Sequence, residues 1–341
     1  MHLAMGSPGQ PPLDADLIAG IAAYRRHPYQ RALPDPPVLW QAGSSRLLDY
    51  GAPAAGGPAV LFVPSLINRA YVLDLAPGRS MLRWLATHGT RPLLLDWGWP
   101  AAQERRFTLT DIITERLLPA IAAVGAPVAL AGYCMGGLLA VAAAQLAPAA
   151  IAALALLATP WDFHAGISTP HVAALLPHLG GLLAGGTMPI DALQAFFALQ
   201  DPGAVAAKFR AFAAIDQASP AAAMFVALED WLADGIPLAA PIAQECLAGW
   251  YGDNTPARLA WRVAGQIVDP AKLRRPALVA LPSHDRIVPP ETARPLASLI
   301  PGATVLDVPL GHVGMVAGSR AETLVWPALL HWFCGPGRPM S

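Results

Sequence analysis

Short, unbroken apolar runs alternate along this chain with longer stretches in which apolar residues return every three or four positions. Ala59–Val63 is such a run, closed by Pro64 and Ser65. Arg91–Asp96, Pro127–Gly132, Ile151–Leu157, Pro276–Leu281 and Thr304–Val308 read as further strands, with Val38–Gln41 and Arg46–Tyr50 as shorter ones. Helical spacing predicts helices over Leu13–Arg26, Arg79–His88, Leu109–Val124, Met135–Leu146, Pro290–Leu299 and Ser319–Phe333. Strands that are apolar on both faces belong to a mostly parallel sheet covered on both sides by helices. The alternation stops between Thr159 and Pro276, where the pattern is helical, irregular and cut by eight prolines from Pro170 to Pro256. The expected architecture is therefore an α/β core in two parts, 1–158 and 276–341, with a helical cap inserted at 159–275. There is no repeat and no flexible linker, so one domain with an insertion is the economical organisation.

Composition tests this picture. The chain is 55% hydrophobic and 13% charged, against about 25% charged in an ordinary soluble domain. Such a chain buries too much to be disordered. With 22 Lys and Arg against 23 Asp and Glu and no basic run, a nucleic-acid partner is not expected. From Leu117 to Trp161 there is no charged residue, and about 20 apolar residues suffice to span a bilayer. Pro119, Pro127 and Pro148 break this stretch, no basic flank orients it, and it divides into strand-length and helix-length pieces. It reads as buried core rather than a transmembrane segment. The N-terminus lacks a basic and apolar leader, and a cytoplasmic protein is expected. Three widely spaced cysteines make neither a disulfide framework nor a zinc site.

The strongest chemical signal is Gly132-Tyr133-Cys134-Met135-Gly136-Gly137, after an apolar strand and before an Ala-rich helix. This is the G-x-S-x-G nucleophile elbow with Cys in place of Ser, the mark of an α/β-hydrolase fold. The nucleophile sits on a sharp strand-to-helix turn, and glycines on either side let backbones approach. The helix N-terminus directed at Cys134 favours a thiolate. The backbone N–H of Met135 would point at an oxyanion, with a second donor expected from Leu66 or Ile67 after the Ala59–Val63 strand. The triad order of this fold is nucleophile, acid, His. Asp285, after the strand ending at Leu281, and His312, after the strand ending at Val308, supply that order. His312 would take the proton from Cys134, and Asp285 would orient the ring. Taken singly, Cys134 could be a buried structural thiol, Asp285 a loop acid and His312 a core histidine; their joint placement favours the triad.

Other candidates carry less. His164, His171 and His178 recur every seven residues, but prolines directly precede two of them, so cap-lining groups are expected rather than a metal site. Asp96 at a strand end reads as a loop-holding acid. His284 follows no strand as His312 does. Cys246 and Cys334 read as packing thiols. Trp97, Trp99, Trp161, Trp231, Trp250 and Trp261 could line an apolar acyl site, or could be ordinary core aromatics. No Walker loop or G-x-G-x-x-G is present, and neither a cofactor nor a metal is expected.

These residues carry a family resemblance. The Gly132–Gly137 box, VPSLINRAYVLDLAPGRSMLRWLATHG at Val63–Gly89, DWGWP at Asp96–Pro100, TPWDF at Thr159–Phe163, EDWLADG at Glu229–Gly235 and the stretch Trp250–Pro290 resemble the catalytic subunit of polyhydroxyalkanoate synthases, most of all the short class III type. The similarity runs from about Tyr24 to Trp332. It implies Cys134 as the acyl carrier, His312 as base, Asp285 as its partner, and (R)-3-hydroxyacyl-CoA as substrate, with coenzyme A entering as the acyl carrier and not as a cofactor. It implies a polyester product, granule association, and a homodimer or second synthase subunit as candidate partners. Cysteine suits this chemistry: transfer from a CoA thioester to a thiol keeps the acyl group activated for attack by a hydroxyl. Polyester depolymerase, esterase or acyl-CoA thioesterase activity stays open, because water need only replace that hydroxyl. A non-catalytic granule protein is the third reading, and an intact triad argues against it.

Overall fold

The protein, seen as a computed structural model, is described at residues 14–51, 56–165, 176–198 and 202–335. Eight strands form one sheet: β1 (Val38–Ala42), β2 (Ser45–Asp49), β3 (Ala59–Val63), β4 (Arg91–Asp96), β5 (Val128–Tyr133), β6 (Ile151–Leu157), β7 (Ala277–Pro282) and β8 (Thr304–Val308). Their order is β1-β2-β4-β3-β5-β6-β7-β8. Only β2 runs against the others, pairing antiparallel with both β1 and β4. The remaining ladders are parallel.

Period-two alternation assigns the strand residues to two cores. Leu61, Val63, Leu130, Leu154, Leu156, Val279 and Leu281 face one layer. Val60, Phe62, Ala129, Ala131, Ala155, Leu157 and Ala280 face the other. The first layer is covered by three helical pieces, Leu109–Ile112, Ile113–Leu117 and Leu118–Ala122, by α3 (Met135–Leu146) and by α7 (Pro290–Leu299). The second is covered by α2 (Met81–Thr87) and by α8 (Trp326–Cys334). The uncharged run from Leu117 onward is the end of the first helical rod, then β5, α3 and β6, most of whose residues are buried. Among the described residues, no helix is long and apolar enough to cross a membrane.

Among the described residues between β6 and β7, no strand joins the large sheet. That segment carries α4 (Ile190–Ala198), α5 (Pro202–Ala213) and α6 (Pro220–Ala233). The N-terminal helix α1 (Ala15–Arg26) packs along α5 and not on the sheet. Gly20 permits this approach, since a Cβ there would lie 1.9 Å from the Phe209 carbonyl oxygen. Leu13, the expected first residue of that helix, and His171 lie outside the described residues.

Two expected helices are interrupted. Leu109–Val124 contains a wide π turn in which the Leu118 N–H reaches Ile113, directly ahead of Pro119. Proline has no N–H and clashes with the carbonyl four residues back, and a π turn absorbs both defects. Ser319–Phe333 is broken at Val325 into Ala321–Leu324 and α8, with Pro327 in the first turn of α8.

Candidate active site

All parallel strands of such a sheet end on one edge, and turns after β3, β5, β7 and β8 project side chains there. Cys134 follows β5 as the N-cap of α3, with φ 56° and ψ −129°. Positive φ at a non-glycine residue costs roughly 1–3 kcal/mol and persists only where the surroundings enforce it. They do so here: the Cys134 N–H donates to the Leu157 carbonyl at 2.9 Å. A Cβ on Gly136 would meet the Val63 oxygen at 1.9 Å, and one on Gly132 would meet the Gly137 Cα at 2.4 Å. The glycines are therefore needed for packing of the turn between β3 and α3, and the thiol is held half-buried above the sheet edge.

Asp285 follows β7 and is buried. One carboxylate oxygen accepts the backbone N–H groups of Ile287 and Val288, each at 2.8 Å. The other contacts His312 Nδ1 at 2.6 Å. With Nδ1 so occupied, Nε2 is left for Cys134, which lines the same cavity beside His312. Burial pulls the imidazole toward its neutral form, but charge at Cys134, the Asp285 carboxylate and the hydrogen bonds to both outweigh it and push His312 up to about 10. Tyr133 packs its ring 5.0 Å from the His312 ring and donates its hydroxyl to the His312 carbonyl at 3.2 Å. Burial pushes that phenol well up, so it stays a donor.

The structure thus brings Cys134, Asp285 and His312 together. Met135 is the first residue of α3, so its N–H has no acceptor within the helix. Of the two candidate donors in the loop after β3, Ile67 gives its N–H to Ser65 Oγ at 3.3 Å, while Leu66 packs its side chain into the core.

Above the thiol lies a cavity of about 590 Å³. Its floor is Ser65, Ile67, Cys134 and His312, and its roof comes from α4 and α6, including Leu193, Trp231 and Leu232. The lining is mainly apolar, with Lys208 and Glu229 ion-paired at 2.7 Å in the wall. A cavity of this size and character fits a small acyl chain.

The other candidates fall elsewhere. His164 is exposed and faces the Tyr251 and Gly252 carbonyls at 3.0 and 3.1 Å. Asp96 is buried against Arg46 at 2.8 Å and accepts the Gly98 N–H, which holds the β4 loop. His284 is exposed, and Cys246 is a buried thiol pushed well up by burial. Of the six tryptophans, Trp231 alone lines the cavity. Trp97, Trp161, Trp250 and Trp261 are buried in packing and Trp99 is exposed. Lys208 and Glu229 were not foreseen, since a pair formed by two helices of the insertion leaves no local pattern. Tyr133 could have been found from its place inside the elbow.

Residues 124–318 match the family described as alpha/beta hydrolase fold. The chain is 31% identical over 316 residues to the poly(3-hydroxyalkanoate) polymerase subunit PhaC of Haloferax mediterranei, spanning 87% of this chain and 63% of that protein. It is 28% identical over 322 residues to the corresponding subunit of Haloarcula marismortui, spanning 87% of this chain and 66% of that one. It thus covers slightly less than two thirds of these two curated relatives. Among solved structures, a monoacylglycerol lipase from Paleococcus ferrophilus superposes with a TM-score of 0.54 at 16% identity, over 84% of this chain and 97% of that one. At that identity the likeness is one of fold alone.

Proposed function

This chain belongs to the α/β-hydrolase fold family, and we propose that within it the protein is an acyltransferase that joins (R)-3-hydroxyacyl groups from coenzyme A thioesters into a polyhydroxyalkanoate. The observation that carries this reading is a cysteine at the elbow where the fold pattern has serine, sharing the floor of an apolar cavity with an Asp-held imidazole. Similarity to the PhaC subunits supports the substrate class.

In this mechanism His312 Nε2 takes the proton of Cys134, and the thiolate attacks the thioester carbonyl. The N–H groups of Met135 and Leu66 receive the oxyanion; Ile67 is the lesser candidate, because Ser65 already holds its N–H. The bond to CoA sulfur breaks and His312 returns the proton to the leaving thiolate. One thioester has replaced another, so the acyl group stays activated. The 3-hydroxyl of a second unit then gives its proton to His312 and attacks the Cys134 thioester; the ester forms, the carbon–sulfur bond breaks, and His312 returns the proton to the released Cys134 sulfur. Asp285 keeps Nδ1 protonated and Nε2 directed at the reacting atoms throughout. The insertion acts as a cap that keeps water from the thioester.

The test supplies 3-hydroxybutyryl-CoA to purified protein, alone and with a second class III synthase subunit, and follows both CoA release and the acyl group. Polymer is expected. Free 3-hydroxybutyrate would assign hydrolysis instead, and absence of CoA release in both mixtures would remove this substrate. Cys134→Ala is expected to lower kcat by at least about a thousandfold; a fully active variant would remove the nucleophile assignment.

A further inference from the structure

At the opposite end of α3 from Cys134 lies a second concavity, a cleft of about 570 Å³. Met135 and Ala144 are nine residues apart in the helix, so the cleft sits roughly 14 Å from the thiol along the helix axis. Its wall holds four cations, Arg262, Lys272, Arg274 and Arg275, together with apolar Ile267 and Leu273. This concentration is unusual in a chain whose net charge is −1 and which has only 22 basic residues.

The guanidinium groups are anchored but not neutralised. Arg262 Nη1 donates to the Gly265 carbonyl at 2.9 Å. Arg274 Nη1 donates to the Ala271 and Leu273 carbonyls at 2.7 and 3.1 Å. Arg275 Nε donates to the Pro148 carbonyl at 3.1 Å. Among the described residues none of the three is in an ion pair. The one carboxylate beside the group, Asp269, stands 3.8 Å from Lys272 and also caps a helical turn through Ala271. Each arginine is thus held in place by neutral carbonyls with further N–H donors unspent, which is how guanidinium groups are pre-organised for phosphate. The carboxyl end of α3 opposes an anion with about half a charge, against four full positive charges.

We propose that this cleft is a binding site for an organic polyphosphate: two or more phosphate groups on the arginines and Lys272, and a compact organic body against Ile267 and Leu273. The cleft has the volume of a small-molecule site rather than the length of a nucleic-acid or protein groove. No Gly-rich phosphate loop is involved, so no motif announces it. Two sources share this chemistry: a free nucleotide and the phosphorylated adenosine diphosphate portion of coenzyme A.

Calorimetric titration of full-length Cys134→Ala protein with ADP, coenzyme A and adenosine separately tests the site and separates its sources. Either phosphorylated ligand is expected to bind with a Kd of about 1 mM or tighter, and at least about tenfold more weakly to a variant that also carries R274Q and R275Q. The tighter of the two identifies the source, and added salt should weaken the binding. A melting temperature close to the parent's shows that the variant is folded. Lack of binding by both ligands, equal binding of adenosine, or affinity unchanged in the variant would overturn the proposal. So would binding of a polyglutamate peptide in place of ADP and coenzyme A, which would make the cleft a surface for an acidic protein.

Discussion

At the residue scale, the candidate chemistry rests on one imidazole between a thiol and a carboxylate. His312 is buried, which by itself would strip its proton. It is pushed up to about 10 because Cys134 and Asp285 both favour the imidazolium. Removing the sulfur therefore has a defined consequence. In a Cys134→Ser variant one of the two favouring partners is gone while burial remains. The His312 titration, followed by nitrogen-15 NMR of the ring, is expected near pH 10 in the parent and lower in the variant. An identical midpoint in both proteins would mean that Cys134 does not act on the ring.

The constellation was legible in the sequence for a physical reason. Each member lies within four residues of the end of a sheet strand, and strand ends are marked locally by an apolar run meeting Gly, Pro or a polar residue. The same holds for elements: β3, β4, β6, β8 and α3 begin and end where their patterns place them. The failures occur where backbone accommodation decides. Pro119 is tolerated in its helix by a π turn, and Val325 breaks a helix that periodicity alone carries through. The tryptophans show a different limit. Trp161, Trp250 and Trp231 all follow plausible cavity patterns, yet which of them reaches the cavity depends on how the insertion folds back. Long-range ion pairs are equally silent. Asp74 is fully buried between Arg83 at 2.7 Å and Arg31 at 3.0 Å, with the Tyr50 hydroxyl at 3.1 Å, and so ties α2 to the segments after α1 and β2. Asp74→Asn keeps the shape and removes the charge opposite two guanidinium groups. Urea denaturation is expected to show a loss of about 2–4 kcal/mol, below the full cost of breaking a buried pair because both arginines are partly exposed. A loss under about 0.5 kcal/mol would show that the network is energetically neutral.

For the whole molecule, the decisive question is how the insertion is held over the thiol. Its attachment runs through the same loop that would supply an oxyanion donor. The Ile236 N–H donates to the Ile67 carbonyl at 2.8 Å, Asn68 and Gly235 form an antiparallel bridge, and the Trp231 indole N–H donates to the Arg69 carbonyl at 2.8 Å. Three consecutive residues after β3 are thus clamped by one short stretch of the insertion. Under the proposed function, loosening this clamp is expected to widen the way to Cys134, so that the population of a loosened form would set part of the access to the thiol. Trp231→Phe keeps most of the apolar bulk and removes one hydrogen bond, worth about 1 kcal/mol. Spread over the open–closed equilibrium, that is about a fivefold rise in the open population. In a Cys334→Ser background, with Cys246 buried, the rate of Cys134 modification by a bulky aromatic disulfide reads that population directly. The rate is expected to rise about fivefold in Trp231→Phe, with the urea midpoint little changed because the sheet and its two cores are untouched. An unchanged rate would mean that substrate reaches the thiol without opening this clamp. A rise accompanied by a large fall in the urea midpoint would mean that the insertion and core unfold as one unit, and that the clamp stabilises the fold without gating the site.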